Sequence, residues 1–135
     1  MARTPQDVTD TELAVLQVLW ERGPSPRRQI ADVLYPNGGP AHFTTVQKLL
    51  ERLEKKGHVQ RSSDGVPVTF TAITGREELI SRRLLDVAEK LCGGSLTPLL
   101  MNLVRAKPLT PREQQELQGF LDELNKKSRS RDKPR

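Results

Sequence analysis

A single cysteine, Cys92, excludes an intrachain disulfide and any multi-thiolate zinc site of the finger or ribbon type. Aromatic residues are only 4% of the chain, so a core has to be built from Leu, Val and Ile carried on helices. No apolar run approaches the ~20 residues of a membrane span, and the N-terminus lacks the charged start, apolar stretch and small-residue cleavage site of a signal peptide. A cytoplasmic chain without membrane insertion is expected. The 135 residues suit one small domain with a short appendage and exclude a large multidomain enzyme. A Gly-rich phosphate loop is missing, as is a Ser or Cys nucleophile near a His with a partner carboxylate. No enzymatic activity, cofactor or metal is therefore expected.

The net charge of +5 is unevenly placed. Residues 126–135 hold six Lys/Arg against one Asp, so residues 1–125 sum to zero. This pattern predicts a basic, disordered tail at 128–135 and not a basic domain. Any nucleic-acid reading must rest on local placement.

Thr9-Asp10-Thr11-Glu12 has the form of a capping box, and Leu13, Leu16, Leu19 and Trp20 follow at helical spacing until Gly23-Pro24. Ser25-Pro26 places a cap before a proline suited to the first helical position. A second helix is predicted from about Pro26 to Tyr35, with Ile30, Val33 and Leu34 on its apolar face. After the breaker Pro36-Asn37-Gly38-Gly39-Pro40, residues Val46, Leu49, Leu50 and Leu53 fall at i, i+3, i+4 and i+7 and make a narrow stripe. Thr44, Lys48, Glu51 and Lys55 lie opposite, with Thr45, Gln47 and Arg52 on the flanks. Gly57 suits a left-handed helix end, and Lys55-Lys56 complement the dipole there.

Residues 58–61 and 66–73 read as two β-branched strands joined through Ser62-Ser63-Asp64-Gly65. Three helices and a hairpin in this order make a winged helix-turn-helix module. Its third helix enters the major groove and its wing touches the backbone or minor groove.

Thr74-Gly75-Arg76-Glu77 is a further capping box, after which Ile80, Leu84, Val87, Ala88 and Leu91 stay in phase. Leu96, Leu99, Leu100, Leu103 and Val104 form a second stripe. Thr110-Pro111-Arg112-Glu113 opens a helix with Leu117, Phe120, Leu121 and Leu124 on one side. About fifty such residues have too little volume to bury three stripes, so a partner subunit is expected to take the surplus.

These residues together resemble the BlaI/MecI/CopY family of bacterial transcriptional repressors, known for penicillinase and methicillin-resistance control. The resemblance spans roughly Thr9 to Lys127 and is carried by three stretches. They are the helix ending in Leu19-Trp20, the run Thr44-Thr45-Val46 through Leu53-Glu54-Lys55-Lys56-Gly57, and Leu99-Leu100-Met101-Asn102-Leu103-Val104. The resemblance implies a homodimer on a two-fold double-stranded DNA operator, with interlocked C-terminal helices. It also implies release through a membrane sensor protease that leads to cleavage after an asparagine. The matching bond is Asn102-Leu103, with Leu where the family often has an aromatic, on a helix whose Leu99, Leu100 and Leu103 should be buried. The copper-binding branch uses C-terminal cysteines that this chain lacks.

The expected fold is mainly α with a small β-hairpin. It comprises a winged helix-turn-helix DNA-binding domain at 9–74, a three-helix dimerisation region at 75–127 and the tail at 128–135. Thr44, Thr45, Gln47, Lys48, Arg52 and Lys55 are expected to contact DNA from the third helix, and Arg27, Arg28 and Arg61 to clamp phosphates. Ile80, Leu84, Val87, Leu91, Leu96, Leu99, Leu100, Leu103, Leu117, Phe120, Leu121 and Leu124 are expected at the dimer contact. The alternatives are a solvated helix face, isolated surface arginines, an Asn102 that is merely a polar surface residue of its helix, and a winged helix used for protein assembly without specific DNA binding. His42 and His58 are expected to be surface or interface residues without a third metal ligand, and Cys92 a buried structural thiol.

Overall fold

The capping box at the start of the first helix forms as the sequence predicts. In the computed structural model, which describes residues 7–132 and side chains through residue 129, Thr9 Oγ1 accepts from Glu12 N–H at 3.2 Å. Glu12 Oε1 accepts from Thr9 N–H at 2.8 Å. Helix α1 runs Asp10–Arg22 and ends on Gly23, whose φ of +78° favours glycine. Its buried face is Val15, Leu16, Val18 and Leu19, whereas Leu13 and Trp20, which share the helical spacing, are half-buried.

Ser25-Pro26 departs from its expected role as cap and first helical residue. The pair forms a short strand, β1, and helix α2 (Arg27–Leu34) starts after it with Pro26 as an N-cap that offers no side-chain bond. Ser25 Oγ donates to Gly23 O at 2.9 Å instead. Proline is tolerated here because β1 pairs on one side only, with β3.

Helix α3 (Pro40–Lys56) has Pro at its start and ends on Gly57 in the left-handed conformation, φ +85° and ψ +20°. Strands β2 (Val59–Ser62) and β3 (Thr69–Ala72) complete an antiparallel sheet of order β1-β3-β2, with Ser25 and Arg61 both opposite Phe70. The wing is thus three-stranded and its second long strand shorter than expected, because residues 63–68 are exposed loop.

Val46, Leu49, Leu50 and Leu53 of α3 are buried as their spacing requires, against the α1 face, Ile30 and Ala31 of α2, and Val59 and Phe70 of the sheet. Leu79, early in helix α4 (Arg76–Cys92), joins the same core. Trp20 Nε1 donates to Thr74 O at 2.9 Å, and Arg83 reaches Val8 O at 2.6 Å. Thr74, expected to cap α4, shares a 2.7 Å hydrogen bond with His58 Nδ1. His58 is therefore a buried residue and not a surface one.

Packing divides the chain between Arg83 and Leu84, within α4, whereas the sequence puts the boundary at 74/75. Beyond the division lie the rest of α4, helix α5 (Leu96–Ala106) and helix α6 (Pro111–Asp132). The predicted box at Thr110 forms: Thr110 N–H donates to Glu113 Oε1 at 3.0 Å, and Glu113 N–H to Thr110 Oγ1 at 3.1 Å. These bonds hold the Glu113 carboxyl below its ordinary pKa. The expected disordered tail is corrected in part. Residues 128–132 continue α6, and 133–135 lie outside the described residues. Cys92, expected to be buried, is half-buried at the end of α4. No described helix is long and apolar enough to cross a membrane.

Candidate nucleic-acid interface

With Val46, Leu49, Leu50 and Leu53 turned inward, the opposite face of α3 is fixed by helix geometry. At about 100° per residue, Thr44, Lys55, Lys48, Arg52 and Thr45 fall within an arc of roughly 100°. All five are exposed. None of Lys48, Arg52 and Lys55 has an ion-pair or hydrogen-bond partner among the described residues. Of the α3 carboxylates, that of Glu51 borders this arc beside Thr44 and that of Glu54 lies farther round on the flank. Gln47, half-buried, points its amide at Glu51 across 3.5 Å, and Glu54 holds Arg61.

The threonines are more restricted. Thr44 Oγ1 donates to Pro40 O at 3.1 Å and Thr45 Oγ1 to Ala41 O at 3.0 Å. With their protons committed to the helix, both offer a methyl group and an acceptor outward, which suits a thymine methyl better than a phosphate. Lys56 leaves the face altogether. Its Nζ lies 2.7 Å from Glu12 Oε1 and 2.8 Å from Asp7 O, tying the end of α3 to the start of α1. Burial opposes ionisation of Glu12, but Lys56 and Thr9 together hold its carboxyl below the ordinary value.

The three flanking arginines divide into two kinds. Arg61 is bidentate with Glu54, both bonds 2.9 Å, and its guanidinium also lies 5.5 Å from the Phe70 ring centroid. Arg27 and Arg28 have no carboxylate partner among the described residues and approach the Phe43 ring, at 5.4 and 6.0 Å from its centroid. His42 is exposed beside Tyr35, ring centroids 4.5 Å apart.

Helices α4, α5 and α6 each carry exposed apolar side chains. Val87 and Leu99 are half-buried, whereas Ile80, Leu84, Leu91, Leu96, Leu100, Leu103, Leu117, Phe120, Leu121 and Leu124 are all exposed. Leu100 and Leu103, expected to be buried, are 54% and 57% accessible in the single chain, since the two-turn stripe of α5 has no facing layer large enough to cover it. Asn102 lies beside them on α5, its Nδ2 donating to Pro98 O at 2.8 Å within the helix.

The penicillinase repressor family model matches residues 8–123, from the start of the winged-helix core into α6. The chain belongs to the penicillinase repressor family. Among relatives, it is 33% identical over 97 residues, 70% of each chain, to the transcriptional regulator BlaI of Mycobacterium tuberculosis. It is 26% identical over 121 residues, 90% of this chain and 82% of the relative, to an uncharacterized 16.5 kDa protein from the ptsI 3' region of Latilactobacillus sakei.

In this penicillinase repressor family member, Phe43, Glu54 and the Glu12–Lys56 pair are parts of the site that the sequence reading missed. Phe43 reads as one more apolar residue near the start of a helix. The Glu12–Lys56 contact joins residues 44 apart and leaves no periodic trace. Glu54 and Arg61 carried a usable signal, since opposite charges flanking the Gly57 turn are brought face to face.

Proposed function

We propose that the chain is a transcriptional repressor that binds a two-fold symmetric DNA operator as a homodimer. The observation that carries this reading is the exposed arc of α3, where three unpaired cations stand beside two threonines on a helix whose other face is the core of a winged helix. On this reading Lys48 and Arg52 donate to guanine edges or phosphates, Thr44 and Thr45 contact thymine methyls, Gln47 reads adenine from the flank, and Lys55 meets backbone. Arg27 and Arg28 add phosphate contacts. The exposed leucines of α4, α5 and α6 are the dimer contact, since apolar helix faces left uncovered within the chain favour association. Release by cleavage between Asn102 and Leu103, under a membrane sensor protease, is supported by family membership. That bond lies within α5, so cutting it requires local opening of the helix.

Binding to fragments selected from the source genome, followed on gels across a salt series, tests the reading. Lys48→Ala and Arg52→Ala are expected to weaken specific binding by roughly 1–3 kcal/mol each, and the salt slope flattens wherever the residue meets a phosphate. Half-sites are expected about one helical turn, or a multiple of it, apart. Full affinity in the double variant removes α3 from the groove.

A further inference from the structure

Phe43 stands in the first turns of α3 and is half-buried, yet its ring faces the two residues that open α2. Successive helical side chains point about 100° apart, so two neighbouring arginines do not normally share one neighbour. Arg27 and Arg28 do, with guanidinium carbons 5.4 and 6.0 Å from the same ring centroid. Asp32 lines the same hollow, four residues from Arg28, and still forms no ion pair with it. A ring attracts a guanidinium through its quadrupole and takes up none of its N–H donors. Both positive groups are therefore held within about 6 Å of one ring with their donors available, an arrangement that an approaching anion stabilises.

The surroundings favour an anion at this point. Helix α2 has no acidic residue in its first turn and no side chain capping it, so its first backbone N–H groups add positive potential beside the arginines. Pro67 and Val68 form an apolar wall of the same hollow. We propose that Phe43 is a positioning residue that holds Arg27 and Arg28 as a paired clamp for a DNA backbone phosphate. This rests on the DNA-binding reading given above.

Salt titration of the full-length chain on a mixed-sequence duplex tests the clamp, because a phosphate contact acts on any sequence. Arg27→Ala with Arg28→Ala is expected to flatten the slope of log K against log salt by about 0.9 for each phosphate that the arginines neutralise in the wild type. Phe43→Leu is expected to weaken binding roughly tenfold at low salt with an unchanged melting temperature, and Phe43→Tyr to bind as wild type. In the Phe43→Leu background the two arginine changes should cost less than half of what they cost in wild type. Arg27→Lys with Arg28→Lys, which keeps the charge and removes the planar fork, should also bind more weakly, and this arm stands even where Phe43→Leu fails to fold. Equal losses in both backgrounds, or full binding by the paired lysine variant, overturn the clamp. If Lys48→Ala weakens binding while Phe43→Leu does not, the clamp alone fails. A wild-type chain that binds no duplex overturns both.

Discussion

Residues 8–79 and residues 84–124 hold the same kinds of aliphatic side chain, arranged in the same helical stripes, and treat them in opposite ways. In the first stretch α1, α2 and α3 close on one another and on the sheet, so that Val15, Leu16, Ile30, Val46, Leu50 and Leu53 are essentially out of water. In the second, Ala88 is the single buried apolar residue among those described, and Leu84, Leu100, Leu121 and Leu124 stand exposed. The polar groups follow suit, since Glu12, Lys56, His58 and Thr74 are bonded across the first unit. Amphipathic periodicity thus shows that a face wants covering, and only the number and placement of neighbouring elements decides whether the chain covers it itself. The first unit is a finished fold, and on the proposed reading the second carries the surface that another copy covers.

The largest expected effect is to remove that cover. Leu100→Asp places a charge on the apolar face, and a buried unpaired charge is strongly destabilising. Loss of the dimer should lower affinity for a full operator by about 10²–10⁴-fold, the advantage of tethering two modules, while each half-site is still bound weakly. A chain ending at Asn102 should do the same, since it lacks α6 and the last turn of α5. Sedimentation showing the wild type to be a monomer at micromolar concentration would undo the contrast between the two units.

A pair of alanine variants draws the contrast more finely. Leu50→Ala empties a site inside the first unit and is expected to cost about 2–5 kcal/mol, independent of protein concentration. Leu100→Ala removes a side chain that is half in water in the single chain, so its effect on melting should depend on concentration through the dimer equilibrium. Concentration-independent losses of equal size in both would mean that the second unit buries Leu100 on its own.

Legibility in the sequence divides along the same line. The i, i+3, i+4, i+7 spacing of Val46, Leu49, Leu50 and Leu53 located α3 and its polar face, and the boxes at Thr9 and Thr110 placed the starts of two helices, because these are local signals. Strand β1 escaped because two residues carry no period, and Ser-Pro is as good a helix start as a strand. His58 escaped because its burial depends on Thr74, brought to it by β3. Of the expected DNA-contacting residues, the exposure of Lys48, Arg52 and Lys55 followed from the stripe. The pairing of Arg61 and the stacking of Arg27 and Arg28 are tertiary and left no local trace.

A smaller effect is expected from the buried polar staple of the first unit. Glu12 is fully buried, and its carboxyl sits below its ordinary pKa despite the desolvation cost, so its ionised form stabilises the fold. A lowered folded value contributes stability above the unfolded value of about 4.3, and that contribution is lost as pH falls through the folded value. Glu12→Gln should therefore destabilise by about 2 kcal/mol at pH 7, and the gap to wild type should shrink in acid below about pH 4.3. A gap that stays constant down to acid denaturation would mean that the staple works through packing and not through charge.

The smallest effect separates an arginine with a partner in its own chain from one without. Arg61 and Arg52 are both exposed, but Arg61 is gripped at 2.9 Å by both oxygens of Glu54, and turning it to DNA means breaking that grip and leaving a carboxylate near the phosphates. Arg61→Gln is therefore expected to change operator affinity by no more than about twofold and to leave the salt slope intact, whereas Arg52→Ala changes both. Glu54→Gln gives the complementary result. It frees the guanidinium and removes a negative charge from the flank of α3, so affinity should rise and the slope should steepen toward one further phosphate contact. If Arg61→Gln instead weakens binding as much as Arg52→Ala, the Glu54 pair opens on the operator. The wing strand would then carry a phosphate contact of its own, and an internal partner in the free chain would no longer mark a residue as structural.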